Sequence, residues 1–175
     1  PLQPLTETVQ GTGYVSTVRP SEIGAYYDFL REQYADEEDV DGFVQLKRLN
    51  GQSGAFEVYP PEEVEEDKDF LYIVTFITPL EGNTAAVGFD LGSNPSRMAA
   101  IARTEATGEL SITSPITLVQ ETSSSFAFLA FAPIPDVPDG VGINPHRGLS
   151  STVVRVNSVI EMARELLSPG QLVSF

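Results

Sequence analysis

The sequence predicts an α+β domain: a mixed or antiparallel sheet of about five strands, flanked by helices. Three observations carry this. Residues 70–77 and 126–132 are β-branched and aromatic with apolar residues at both parities, the pattern of strands buried on both faces. Between them Met98, Ile101, Ala102 and Ala106 recur at helical spacing. Along the chain, segments of strand period alternate with segments of helix period, which suits a sheet covered by helices.

Taken in order, residues 1–20 carry Pro, Thr and Gly with little periodicity, and Gly11 and Gly13 weaken any helix there. Ser21 follows Pro20 and reads as the N-cap of a helix whose stripe is Ile23, Tyr26, Tyr27, Leu30 and Tyr34. We read this aromatic stripe as core rather than as a ligand cage. An acidic cluster follows, Asp36, Glu37, Glu38, Asp39 and Asp41, then a strand at 43–46. Glu37, Asp39, Asp41 and Gly42 imitate the start of an EF-hand loop, but the twelfth position falls on Arg48, where a bidentate Glu is required. A solvated loop is the better reading, as it is for the second acidic run, Glu62, Glu63, Glu65, Glu66, Asp67 and Asp69.

Residues 70–77 then read as a central strand, Glu81-Gly82-Asn83 as a turn, and 84–89 as a second strand ending at Asp90. Asn94 stands at an N-cap, Pro95 at the first helical position where its missing N–H costs nothing, and Gly108 where the helix ends. Pro115 divides 110–119 into two short edge pieces or a bent strand. Residues 135–148 form a Pro- and Gly-rich loop with the single histidine, His146. Residues 149–154 read as the last major strand. Asn157 is expected to cap a final helix that turns Val159, Ile160, Ala163, Leu166 and Leu167 inward, with Pro169 and Gly170 stopping it and 171–175 as a short strand or tail.

At 175 residues the chain suits one domain with a sizeable core. The net charge of −15 repels nucleic-acid phosphates and anionic lipid, so neither is an expected partner. Lys47 and Lys68 are the only lysines, a balance that suits high salt, where self-repulsion is screened, as well as an ordinary acidic surface. The absence of cysteine excludes disulfides and thiol chemistry. No apolar run approaches the ~20 residues of a membrane span, and no signal-peptide pattern is present. With Pro1 rather than Met at its start, the chain reads as a piece of a longer protein whose membrane segments are left out.

The residue types of common catalytic sites are scarce. A triad needs a histidine, and His146 is the single one, in a loop; no G-x-S-x-G elbow occurs. Cys/His metal sites are excluded by count, and Gly11-Thr12-Gly13 lacks the third glycine of a dinucleotide loop. Carboxylates are plentiful but carry no geometry. We therefore expect a binding module rather than an enzyme, with no cofactor and no metal.

The run G-F-D-L-G-S-N-P-S-R-M from Gly88 to Met98 resembles the CHASE family, as do A-T-G at Ala106 to Gly108, T-S-P at Thr113 to Pro115 and F-L-A-F-A-P at Phe128 to Pro133. The similarity in order and spacing extends from about residue 7 to residue 167. The resemblance implies a PAS-like fold and an extracytoplasmic position, in two-component receptor histidine kinases and in nucleotide or diguanylate cyclases, with a small-molecule ligand. It divides the chain into a stalk remnant at 1–20, a PAS-like core at 21–167 and a tail at 168–175. The membrane is then reached only through flanking segments, and the partners are an unidentified small molecule and a possible weak homodimer. A free-standing secreted hydrolase is the alternative.

Asp90 ends an apolar strand just before a capped helix, so the residues alone allow either a turn cap or a ligand anchor. In plant members of the resembling family, which bind adenine-type hormones, the matching aspartate is the anchor, which favours that role here. By the same match Ile112 lines the pocket wall and Phe131 packs on the ligand from the strand behind, although core packing is the better reading for Phe131. Thr152 stands on the last strand where the resembling sequences carry glycine, which argues against a bulky planar ligand. Glu121 or Thr122 falls near another contact of the family.

Overall fold

Tyr14 to Val18 are strand formers, and with the residues before them they build β1 (Val9–Val18), a strand of ten residues inside the sheet. Residues 9–20, expected as the end of a stalk, are thus sheet followed by the start of a 3₁₀ turn. The glycines that weaken a helix serve the strand: a Cβ on Gly13 would lie 2.5 Å from the Phe76 carbonyl oxygen. The structure, a computed structural model, describes residues 9–50, 55–64, 68–117, 126–134 and 148–166. Residues 135–147 of the predicted loop, with His146, the tail at 168–175, and Glu121 and Thr122 lie outside the described residues.

The sheet runs β4 (Leu71–Thr78), β1, β8 (Gly148–Arg155), β7 (Phe126–Pro133), with β5 (Ser111–Ile112) and β6 (Ile116–Thr117) both paired to β7. All of these pairings are antiparallel. β5 and β6 are the two short edge pieces expected on either side of Pro115. The α+β class stands, with one correction of place. β4 is the edge strand, not a central one. It reads as central because its outer side is covered: Val74 N donates to Phe89 O at 3.1 Å and Gly88 N donates to Val74 O at 2.9 Å.

Helix α1 (Ile23–Gln33) lies on one face and buries Ile23, Tyr26 and Leu30 against Val18, Leu71 and Ile73. Its first turn follows a 3₁₀ turn, Pro20–Glu22, so Ser21 is inside that turn and not the N-cap. A bulge between Tyr14 and Val15 leaves Thr75 without a partner in the β1–β4 register, and its side chain turns under α1. Residues 40–43, at the start of the predicted strand, form the short helix α2 (Val40–Phe43). Strand structure begins later, in the hairpin β2 (Lys47–Leu49) and β3 (Phe56–Val58).

Helix α3 (Pro95–Thr107) lies on the opposite face, starting at Asn94 and ending at Gly108 in the left-handed region (φ +69°), as the sequence predicts. Its inward residues are Arg97, Ala100, Ile101 and Thr104, while Ala102 and Ala106 are exposed. Helix α4 (Val156–Leu166) follows β8 directly. Asn157 is within it rather than capping it, and Val159, Ile160 and Ala163 are exposed rather than turned inward.

Candidate functional site

Strand register assigns the two faces. Val15, Val74, Leu129, Phe131 and Leu149 point to the α3 face, where they form one core with Phe89, Leu91, Ala100 and Ile101. One side of this core is closed by the segment from Thr84 to Asn94. The sequence predicts a strand at 84–89; the structure makes a 3₁₀ turn, Thr84–Ala86, and then single bridges at Phe89 and Asp90. Gly88 (φ +79°) explains the break, because a Cβ there would sit 2.0 Å from the Gln45 carbonyl oxygen. The segment is held on both sides. Lys47 N donates to Gly88 O and Asp90 N donates to Lys47 O, at 3.0 and 2.8 Å. Lys47 Nζ also donates to Phe43 O and Val87 O, at 2.6 and 2.7 Å.

Asp90 is 2% exposed. Its Oδ1 accepts from Gly92 N at 2.9 Å and from Tyr72 N at 3.1 Å, so it caps the 3₁₀ turn Leu91–Ser93 and ties that turn to β4. Its Oδ2 lies 3.9 Å from Lys68 Nζ. Burial pushes the carboxyl pKa up, opposed by the Tyr72 N–H, Lys68 and the Gly92 N–H. Ser93 Oγ donates to Asp90 O at 2.6 Å and accepts from Leu49 N at 2.8 Å, which fastens the β2–β3 hairpin over the turn.

One turn further on, Asn94 Oδ1 accepts from Ser96 N and Arg97 N, at 3.0 and 3.1 Å, and starts α3. The cap directs the Arg97 side chain inward, where it is 3% exposed and stacks 4.9 Å over the Phe89 ring. Phe56 meets the same ring edge-on at 5.1 Å. Arg97 Nε has no hydrogen-bond partner, and among the described residues no carboxylate pairs with the guanidinium. Burial alone lowers its pKa, to about 10. Ser96 Oγ is the other buried side-chain polar atom without a partner among the described residues. Apolar spacing along this helix points to Met98 and Ile101 and not to Arg97. The signal was present: Arg97, Ala100, Ile101 and Thr104 share one helical stripe, and a charge in an apolar stripe is out of place.

The four residues expected at a site are divided between places. Phe131 is fully buried on the α3 face, and its carbonyl accepts from Thr104 Oγ1 at 3.3 Å. Thr152 and Ile112 both pair with Ala130 and so share the other face, Thr152 half-buried and Ile112 exposed. Thr152 Oγ1 lies 3.4 Å from Thr12 Oγ1. Asp90 stands at the outer edge of β4. The acidic residues gather no metal site among the described residues.

A family model described as CHASE domain matches residues 1–173, and no curated protein matches the chain. No helix among the described residues is long and apolar enough to cross a membrane. The chain belongs to the CHASE domain family, a family of extracytoplasmic sensory domains of signalling receptors.

Proposed function

From that membership we propose that this domain binds a small molecule outside the membrane on behalf of a transmembrane histidine kinase or a nucleotide or diguanylate cyclase. The observation that supports ligand binding is Arg97. A buried cation with no counter-charge, set against the apolar α3 face, is an arrangement that a packed core alone does not call for. The ligand favours one arrangement of the sheet and its covering helices. Segments at the two ends of the domain pass the difference across the membrane as a population shift. The domain itself performs no chemistry in this reading; the receptor's output domain does.

The parent gene tests the receptor class. Membrane spans on both sides of this domain, followed by a kinase or cyclase domain, are the expected result. A secreted, unanchored product without an output domain would overturn it in favour of a free-standing hydrolase.

A further inference from the structure

Arg97 and Asp90 are the two charged side chains buried among the described residues. Asp90 spends one oxygen on two backbone donors and has Lys68 beside the other. A ligand that offers N–H groups would have to compete with those partners. Arg97 is in the opposite condition: its backbone is capped, its side chain is enclosed, and its guanidinium faces no carboxylate. Arginine does not shed its proton at neutral pH, so the charge stays.

We propose that Arg97 anchors the carboxylate of a monoanionic ligand whose apolar body lies against Phe56, at the rim of the α3 face beside the Phe89 ring. The proposal rests on the sensor reading above and names the ligand class for it. The planar fork of a guanidinium matches a carboxylate with two parallel hydrogen bonds. A single buried cation balances a single negative charge, and the net charge of −15 works against more highly charged anions. The surroundings select the rest of the molecule. Phe89 carries Arg97 on one contact and Phe56 on another, and Phe56, 39% exposed, is the apolar surface there that a ligand body can cover. The N-terminal turn of α3 adds partial positive charge.

The test titrates the purified domain with phenylacetate, isovalerate and hexanoate (aromatic, branched and linear bodies), each beside its neutral amide, and follows binding by calorimetry and by melting. At least one carboxylate is expected to bind and to raise the melting temperature, with its amide tenfold or more weaker. Arg97→Met is expected to lose that binding by tenfold or more, yet to melt higher than wild type without ligand, because an unpaired buried charge is replaced by an apolar chain. Arg97→Lys keeps the charge without the fork and is expected to fall between them. The proposal is overturned if none of the three acids binds, if amide and acid bind alike, or if Arg97→Met melts lower than wild type without ligand. Adenine serves as an N–H-donating probe. If adenine binds and Arg97→Met leaves its binding unchanged, the anionic class is wrong while the sensor reading stands.

Discussion

Beneath α1, Thr75 Oγ1 lies 2.6 Å from Ser16 Oγ and 2.7 Å from the Tyr26 hydroxyl, and its carbonyl accepts from the Tyr34 hydroxyl at 2.9 Å. Beneath α3, a guanidinium of comparable burial has an aromatic ring and no carboxylate. The same sheet therefore has one face whose buried polar groups are satisfied from within and one whose central charge is not. Folding alone explains the first face. The second breaks a local rule of protein interiors, and such breaks gather where a molecule does something besides fold.

Both faces are core, and the largest effects should show it. Leu30 under α1 and Phe131 under α3 are each fully buried. Leu30→Ala should cost about 2–5 kcal/mol and Phe131→Ala about 3–5 kcal/mol, read as shifts in urea midpoint at constant slope. A Phe131→Ala loss far below that of Leu30→Ala would mean that the α3 face is not packed, and the comparison would fail. Next in size is the polar network. Thr75→Val preserves shape but removes the atom bonded to both Ser16 and Tyr26, and losing those buried hydrogen bonds should cost about 1–3 kcal/mol. A loss near zero would show that the α1 face does not depend on its network.

Asp90 separates capping from charge. Asp90→Ala removes the acceptor of two backbone N–H groups and should cost about 1–3 kcal/mol. Asp90→Asn keeps that oxygen and discards the buried charge, so at pH 7 it should melt at or above wild type. The pH dependence follows from the direction of the shift. The folded carboxyl has a raised pKa, so the folded state holds this proton more tightly than the unfolded one. That contribution is complete below the unfolded value of about 3.9 and is lost as pH rises through the folded value. The melting temperature of wild type minus that of Asp90→Asn should therefore fall as pH climbs above about 4, then level off. A difference that grows with pH would show that the ionised carboxylate is favoured in the fold.

Much of this architecture could be read from the chain. The Asn94-Pro95 start and Gly108 end of α3, the division at Pro115, and the strands β7 and β8 follow from local chemistry that the fold does not override. The failures have physical causes. In β1, Gly11 and Gly13 hide a strand because close approach of β4 replaces the side chains that would mark it. β4 imitates a central strand because a turn, not a strand, covers its edge. α4 shows a stripe whose described members Val159 and Ile160 are not buried by the rest of the described chain. At the site, Asp90 stands out in the sequence as a polar end to an apolar strand, but its partners are backbone N–H groups, which leave no trace in a side-chain pattern. Arg97 escapes a reading by apolar spacing because a charged residue in a helix is ordinarily solvated, although it shares its stripe with Ala100, Ile101 and Thr104.

The smallest expected effect draws the sharpest line between the faces. Ile112 is 50% exposed, and its carbonyl, not its side chain, receives the hydrogen bond from Arg103 Nη2 at 2.7 Å. Ile112→Ala keeps that bond and should change stability by no more than about 0.5 kcal/mol. Its consequence for binding depends on strand parity. Ile112 and Thr152 pair with Ala130, whereas Phe131, the next residue on β7, points through to the opposite face. A ligand held by Arg97 on the α3 face therefore leaves Ile112 untouched, and Ile112→Ala should bind a carboxylate as wild type does, within about twofold by calorimetry. If Ile112→Ala weakens binding by tenfold while Arg97→Met does not, the ligand lies on the other face, beside Thr12 and Thr152, and the buried guanidinium needs another explanation.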